Sequence, residues 1–139
     1  GIRVPFIARW PGSVPAKRIN HHISGFQDMF PTLLELAQIE LEHEVDGISM
    51  VPTLLGKKGQ RKHDYLYWEF GERGGATAVL KGDWKGVRRN TSKNPNGPIE
   101  IYNLKTDLAE TTNLAGTQKA LIKEFEAVLK REHTPLDRN

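Results

Sequence analysis

Four short β-prone segments divided by turn residues, followed by one amphipathic helix, fill the second half of this 139-residue chain. That order leaves few folds open. Tyr65–Phe70 is aromatic, while Ala76–Leu80, Trp84–Arg89 and Ile99–Leu104 carry apolar residues in short or alternating runs. Between them stand Gly71–Gly75, Lys81-Gly82-Asp83 and the loop Asn90–Pro98, all turn chemistry. Connections this short join antiparallel neighbours. The spacing then predicts a helix from about Gln118 to Glu132, with Leu121, Ile122, Phe125, Val128 and Leu129 on one stripe. Laid across the sheet, that stripe contributes about 1.5–3 kcal/mol per large side chain before entropy is subtracted. The expectation is an α+β unit: a four-stranded antiparallel sheet with a packed helix.

The first 56 residues read differently. Gly1–Trp10 holds Ile2, Val4, Phe6, Ile7, Ala8 and Trp10 and is closed by Pro11-Gly12, the pattern of a strand buried on both faces. A chain that opens on a core strand is expected to belong to something larger, and its edge is expected to seek a partner, including a second copy. Asp28 stands as N-cap to a helix from Met29 to about Gln38, whose apolar face is Phe30, Leu33, Leu34 and Ala37. Ser49 caps a shorter helix, Met50–Leu55, stopped by Gly56. One strand and two helices enclose no core alone. The expected division is an incomplete piece at 1–56, a linker at 57–64, and the α+β unit at 65–139.

Composition narrows the function classes. With no cysteine, the chain has no disulfide, thiolate nucleophile or cysteine-ligated metal. No apolar run approaches the roughly 20 residues of a membrane span. The net charge of +3 comes from 20 basic and 17 acidic residues that are largely interspersed. This favours a solvated surface over a nucleic-acid footprint. A non-catalytic polyanion-binding or structural module is the alternative reading, resting on the clusters Lys57-Lys58 with Arg61-Lys62 and Lys81 through Arg88-Arg89 to Lys93.

Several stretches together resemble one family. Gly1-Ile-Arg-Val-Pro5 with Arg9-Trp-Pro-Gly12 is similar to the last core strand of the type I, formylglycine-dependent sulfatases. Asp28 with Pro31-Thr-Leu-Leu34 and Ala37 resembles the helix that follows, and Asp46-Gly47, Ser49 and Leu54-Leu55-Gly56 fit next. Leu66-Tyr-Trp-Glu-Phe70, Ala78-Val79, Gly82-Asp-Trp-Lys85 and Glu100-Ile-Tyr-Asn-Leu104 resemble the small C-terminal sheet. Asp107, Glu110 and Asn113-Leu114 resemble its closing turn, with Leu108 where a proline is usual. The resemblance implies the edge of an α/β, alkaline-phosphatase-like domain followed by a C-terminal subdomain. It also implies hydrolysis of sulfate monoesters, of aryl groups or of sugars including N-acetylhexosamine sulfates, in a periplasmic or secreted protein. Its cofactors would be calcium and a formylglycine made within Cys/Ser-x-Pro-Ser-Arg. Those positions are not in this sequence, so no catalytic or metal residue is assigned and the isolated chain is expected to be inactive. Partners are a sulfated small molecule or glycan met through a catalytic domain, with neither nucleic acid nor membrane.

Three residues stand as substrate-rim candidates: His22, Glu69 and Arg73. His22 follows His21 in the loop after the opening strand, where an imidazole can face an anion or simply cap. Adjacent histidines share no strand or helix face, which argues against a two-ligand metal site. Glu69 and Arg73 bracket the turn after the first C-terminal strand, an edge that the resemblance turns toward the catalytic cleft. Trp68 can stack on a sugar or belong to the core. Lys85, Arg88 and Arg89 lie on one strand as potential polyanion contacts or a solvated face. Asp28 as a general base lacks a paired acid, and capping accounts for it.

Overall fold

Two units, Gly1–His63 and Asp64–Asn139, divide the chain in a computed structural model that describes residues 2–134. The second unit is the α+β arrangement expected. Strands β1 (Leu66–Phe70), β2 (Ala76–Lys81), β3 (Trp84–Arg89) and β4 (Ile99–Asn103) form one antiparallel sheet in sequence order. The two-residue connection Gly82-Asp83 joins β2 to β3, with Gly82 at φ 56°, a left-handed conformation that glycine adopts without a Cβ penalty. Helix α3 (Lys119–Glu132) lies on one face. The register aligns Tyr67, Val79, Gly86 and Ile101 in one row across the sheet. Val79, Ile99 and Ile101 meet Phe125, Val128 and Leu129 of α3 to make the core, flanked by Tyr65, Tyr67, Trp84, Leu121 and Ile122. Gly86 is required here, because a Cβ on it would stand 2.3 Å from Phe125 Cδ2.

The outer edge of β4 is closed by a side chain and a short stretch of backbone. Asn113 Oδ1 accepts hydrogen bonds from Ile101 N–H and Ala115 N–H, and Leu114 N–H donates to the Ile101 carbonyl. Just before it, the Asp107 carboxylate accepts from the backbone of Thr111 and Thr112. Those two bonds hold its pKa below the ordinary aspartate value. The polar stretch between sheet and helix is therefore an ordered turn.

In the first unit a 3₁₀ turn (Phe26–Asp28) runs into α1 (Met29–Leu36), and α2 spans Val51–Leu55. Helix α1 stops two residues before the expected Gln38, which takes φ 59° while Ile39 N–H returns to the Leu34 carbonyl. Gly56 ends α2 at φ 71° as expected.

Three readings of the first unit need correction. Residues 2–10 of the expected Gly1–Trp10 strand form no strand, and Val4 and Ile7 are exposed. Apolar density signals a segment fit for burial, but a strand also needs a neighbour's hydrogen bonds, and none lies beside it among the described residues. Second, the buried side of α1 is Asp28, Pro31 and Thr32, whereas Phe30 and Leu33 of the expected apolar face are exposed. The two polar residues there, Asp28 and Thr32, are buried because they are wired. Thr32 Oγ1 donates to the Asp28 carbonyl and accepts from Met50 N–H. Third, Asp28 makes no side-chain capping bond to α1, and its true partners define the first of the clusters below. The end of the expected 65–139 unit, residues 135–139, lies outside the described residues.

Candidate functional site

Asp28 carries no exposed surface. Its Oδ2 accepts from Gly25 N–H at 2.8 Å, reaching back over the 3₁₀ turn. Its Oδ1 accepts from Ile48 N–H at 2.7 Å and faces His63 Nε2 at 2.7 Å. One carboxylate thus joins the start of α1, the turn before α2 and the end of the unit. Gly47 makes room for this crossing, since a Cβ there would lie 2.1 Å from the Gln27 carbonyl oxygen. His22 belongs to the same neighbourhood. Partial burial lowers its pKa, the Asp28 carboxylate opposes that shift, and His63 and Lys62 add to it. The N-terminus of α2 is capped from Gln60, whose Oε1 accepts from Thr53 N–H while its Nε2 donates to the Ser49 carbonyl. The hydroxyl of Ser49, the expected cap, accepts from Val51 N–H.

The second cluster lies on the α3 side of β1. Glu69 accepts from the Tyr67 hydroxyl at 2.6 Å and pairs with His133 Nδ1 at 3.0 Å, just past the end of α3. Partial burial works against the charged form of Glu69. The Tyr67 and His133 hydrogen bonds outweigh it and hold the carboxyl below its usual range. The Tyr67 phenol is pushed well up, by burial first and then by Glu69, so it stays a donor. Arg73 stands at the tip of the β1–β2 turn, exposed and at φ 52°. Among the described residues it makes no ion pair. The turn is tied to the next hairpin loop by Thr91 N–H to the Gly75 carbonyl and Ser92 N–H to the Gly74 carbonyl.

His22 therefore belongs to one unit, while Glu69 and Arg73 belong to the other and form no ion pair with each other. Trp68 is half-buried on the sheet face away from α3. His63, which anchors the first cluster, went unread because nothing in local spacing links it to Asp28. Among the described residues no three His, Asp or Glu side chains gather to hold a metal.

A four-stranded sheet under one helix, its closing turn wired by Asp107 and Asn113, makes up the second unit. The chain belongs to the family described as N-sulphoglucosamine sulphohydrolase, C-terminal, which it matches over residues 1–137. It is 32% identical over 131 residues to the delta 4,5-hexuronate-2-O-sulfatase of Bacteroides thetaiotaomicron, covering 91% of this chain and 27% of that protein. It is 36% identical over 74 residues to human arylsulfatase D, covering 52% of this chain and 12% of that protein. It is also similar to the solved structure of Ps i-CgsB in complex with k-i-k-neocarrahexaose, with 25% identity and a TM-score of 0.70. That match covers 91% of this chain and 29% of the other. The chain thus spans about a quarter or less of the curated relatives' length.

Proposed function

We propose that this chain is the C-terminal portion of a sulfatase that hydrolyses sulfate monoesters of sugars. In this reading it supports and rims an active site whose nucleophile and calcium ligands are supplied by other segments of the whole polypeptide. The observation that carries the proposal is the family match across residues 1–137, over a sheet and helix of the same class. The names of the sulfatase relatives support sulfate-ester hydrolysis as the reaction. A hexuronate sulfatase among them supports a saccharide as the carrier of the ester. Formylglycine is proposed for the whole polypeptide from the family resemblance, with its Cys/Ser-x-Pro-Ser-Arg motif outside this sequence.

The three rim candidates take distinct roles. Arg73 presents a permanent cation at a hairpin tip, suited to a sulfate or carboxylate on the substrate. Glu69 is engaged by Tyr67 and His133, so it braces that edge and accepts from a sugar hydroxyl. His22, its pKa lowered by burial, offers a neutral imidazole as a hydrogen-bonding group.

Steady-state kinetics of the whole polypeptide on a 2-O-sulfated hexuronate disaccharide test the assignment. Arg73→Ala should raise KM about tenfold with kcat little changed, the pattern of lost uniform binding. An unchanged KM would remove Arg73 from the rim.

A further inference from the structure

The three cations of β3 face different surroundings. Arg88 turns toward α3, donating through Nε to the Gly97 carbonyl at 2.7 Å with Glu126 at 3.9 Å. Lys85 turns the other way and is held by Glu110, its side chain only 12% exposed. Arg89 points to the same side as Lys85 and reaches solvent, its side chain 55% exposed. Its Nε donates to Glu100 Oε2 at 2.8 Å, and the Tyr102 hydroxyl donates to that same oxygen at 3.0 Å. This brace fixes the plane of the guanidinium while engaging one of its five donors through Nε.

The strand register puts two further residues in line with Arg89. Ala76 pairs with it on β2, and Phe70 pairs with Ala76 on β1. Side chains alternate along a strand, so these three share the sheet face turned away from α3. Farther along that face Leu66, Ala78, Val87 and Tyr102 are buried, but at this end Phe70 is 52% exposed. Ala76, half-buried and carrying only a methyl, stands between the ring and the guanidinium in that row. Two strand spacings separate their backbones by about 10 Å, the span of one hexose with an ester group projecting from it.

We infer that the row Phe70–Ala76–Arg89 is a binding subsite for a sulfated pyranose. The Phe70 ring lies against the C–H face of the sugar, and the Arg89 guanidinium takes the sulfate ester. An exposed phenylalanine alone is ordinary surface. An exposed ring in register with a braced cation, across a residue too small to obstruct, suits a ligand with one apolar face and one anionic substituent. The choice of a sulfated sugar as that ligand rests on the sulfatase reading above.

The test titrates a heparin disaccharide, its desulfated form and inorganic sulfate into the isotope-labelled 139-residue chain, followed by amide and arginine side-chain NMR shifts. The sulfated disaccharide should move the signals of Phe70, Ala76 and Arg89, including Arg89 Nε. Arg89→Gln should weaken its binding about tenfold. Phe70→Ala should weaken the disaccharide about fivefold and leave inorganic sulfate unaffected, since only the sugar has a face to stack. Unchanged spectra elsewhere show that each variant folds. Absence of binding, shifts centred on the basic segment Lys57–Lys62, or binding indifferent to both substitutions would overturn the subsite. Sulfate release by the whole polypeptide is a separate readout. Release there without binding here removes the subsite alone, and binding here without release there removes the sulfatase reading alone.

Discussion

His63 Nε2 stands 2.7 Å from Oδ1 of Asp28, a carboxyl with no exposed surface, across 35 residues of sequence. The pair closes the first unit on itself, because Asp28 also holds the backbone of Gly25 and Ile48. Asp28→Ala leaves those two N–H groups and the imidazole without an acceptor. A buried donor left unmet costs about 1–3 kcal/mol and these three are partly buried, so together their loss should exceed the roughly 0.5–2 kcal/mol of a helix cap. Asp28→Asn keeps one acceptor oxygen and should lose less. Urea unfolding measures both, and a loss for Ala within the range of a cap would refute the junction.

Gly86 and Phe125 form a coupled site in the sheet–helix core. Gly86→Ala forces a methyl into the ring and should cost about 1–3 kcal/mol. Phe125→Ala should cost about 3–5 kcal/mol by leaving a cavity. The double variant should be less damaged than the sum, since the new methyl enters space the ring vacated. Strict additivity in thermal unfolding would contradict the contact.

Thr77 lies buried on β2 with no hydrogen-bond partner for its hydroxyl among the described residues. Thr77→Val keeps the β-branched shape and removes the unmet polar group. It should stabilise the chain by about 1 kcal/mol. A loss of similar size would mean that the hydroxyl has a partner.

How much of this was legible follows from the distance over which each feature is encoded. The period-two runs at β1 to β4 and the stripe Leu121–Leu129 are local patterns, and the strands and α3 fall within a residue or so of where they were read. Asp28 also sits where a cap belongs. What its carboxylate contacts depends on Ile48 and His63, 20 and 35 residues away, which no local pattern records. At residues 2–10 the apolar density suggests a buried strand that the structure does not form, because density names no partner strand. The subsite row was hidden differently. Lys85, Arg88 and Arg89 read as one basic cluster until register and side-chain partners separated them.

The Tyr67–Glu69–His133 chain makes a prediction about pH. Glu69 has a lower pKa in the folded chain than its ordinary value, through the Tyr67 and His133 hydrogen bonds acting against partial burial. Its contribution is therefore complete above the unfolded glutamate pKa and is lost as pH falls through the folded one. Stability should decline on that acidic limb, and Glu69→Gln should flatten it. Glu69 is exposed, so the effect should be small and weaken with added salt. An acid limb identical in the two proteins would show that Glu69 does not carry it.

Sulfate release measured side by side for the whole polypeptide and for this 139-residue chain tests the central claim most directly. Both are offered a 2-O-sulfated hexuronate disaccharide and an aryl sulfate, with calcium present. The account predicts turnover by the whole polypeptide and none above background by the chain alone. Release by the pure chain, or no release from either substrate by the whole polypeptide, would contradict it.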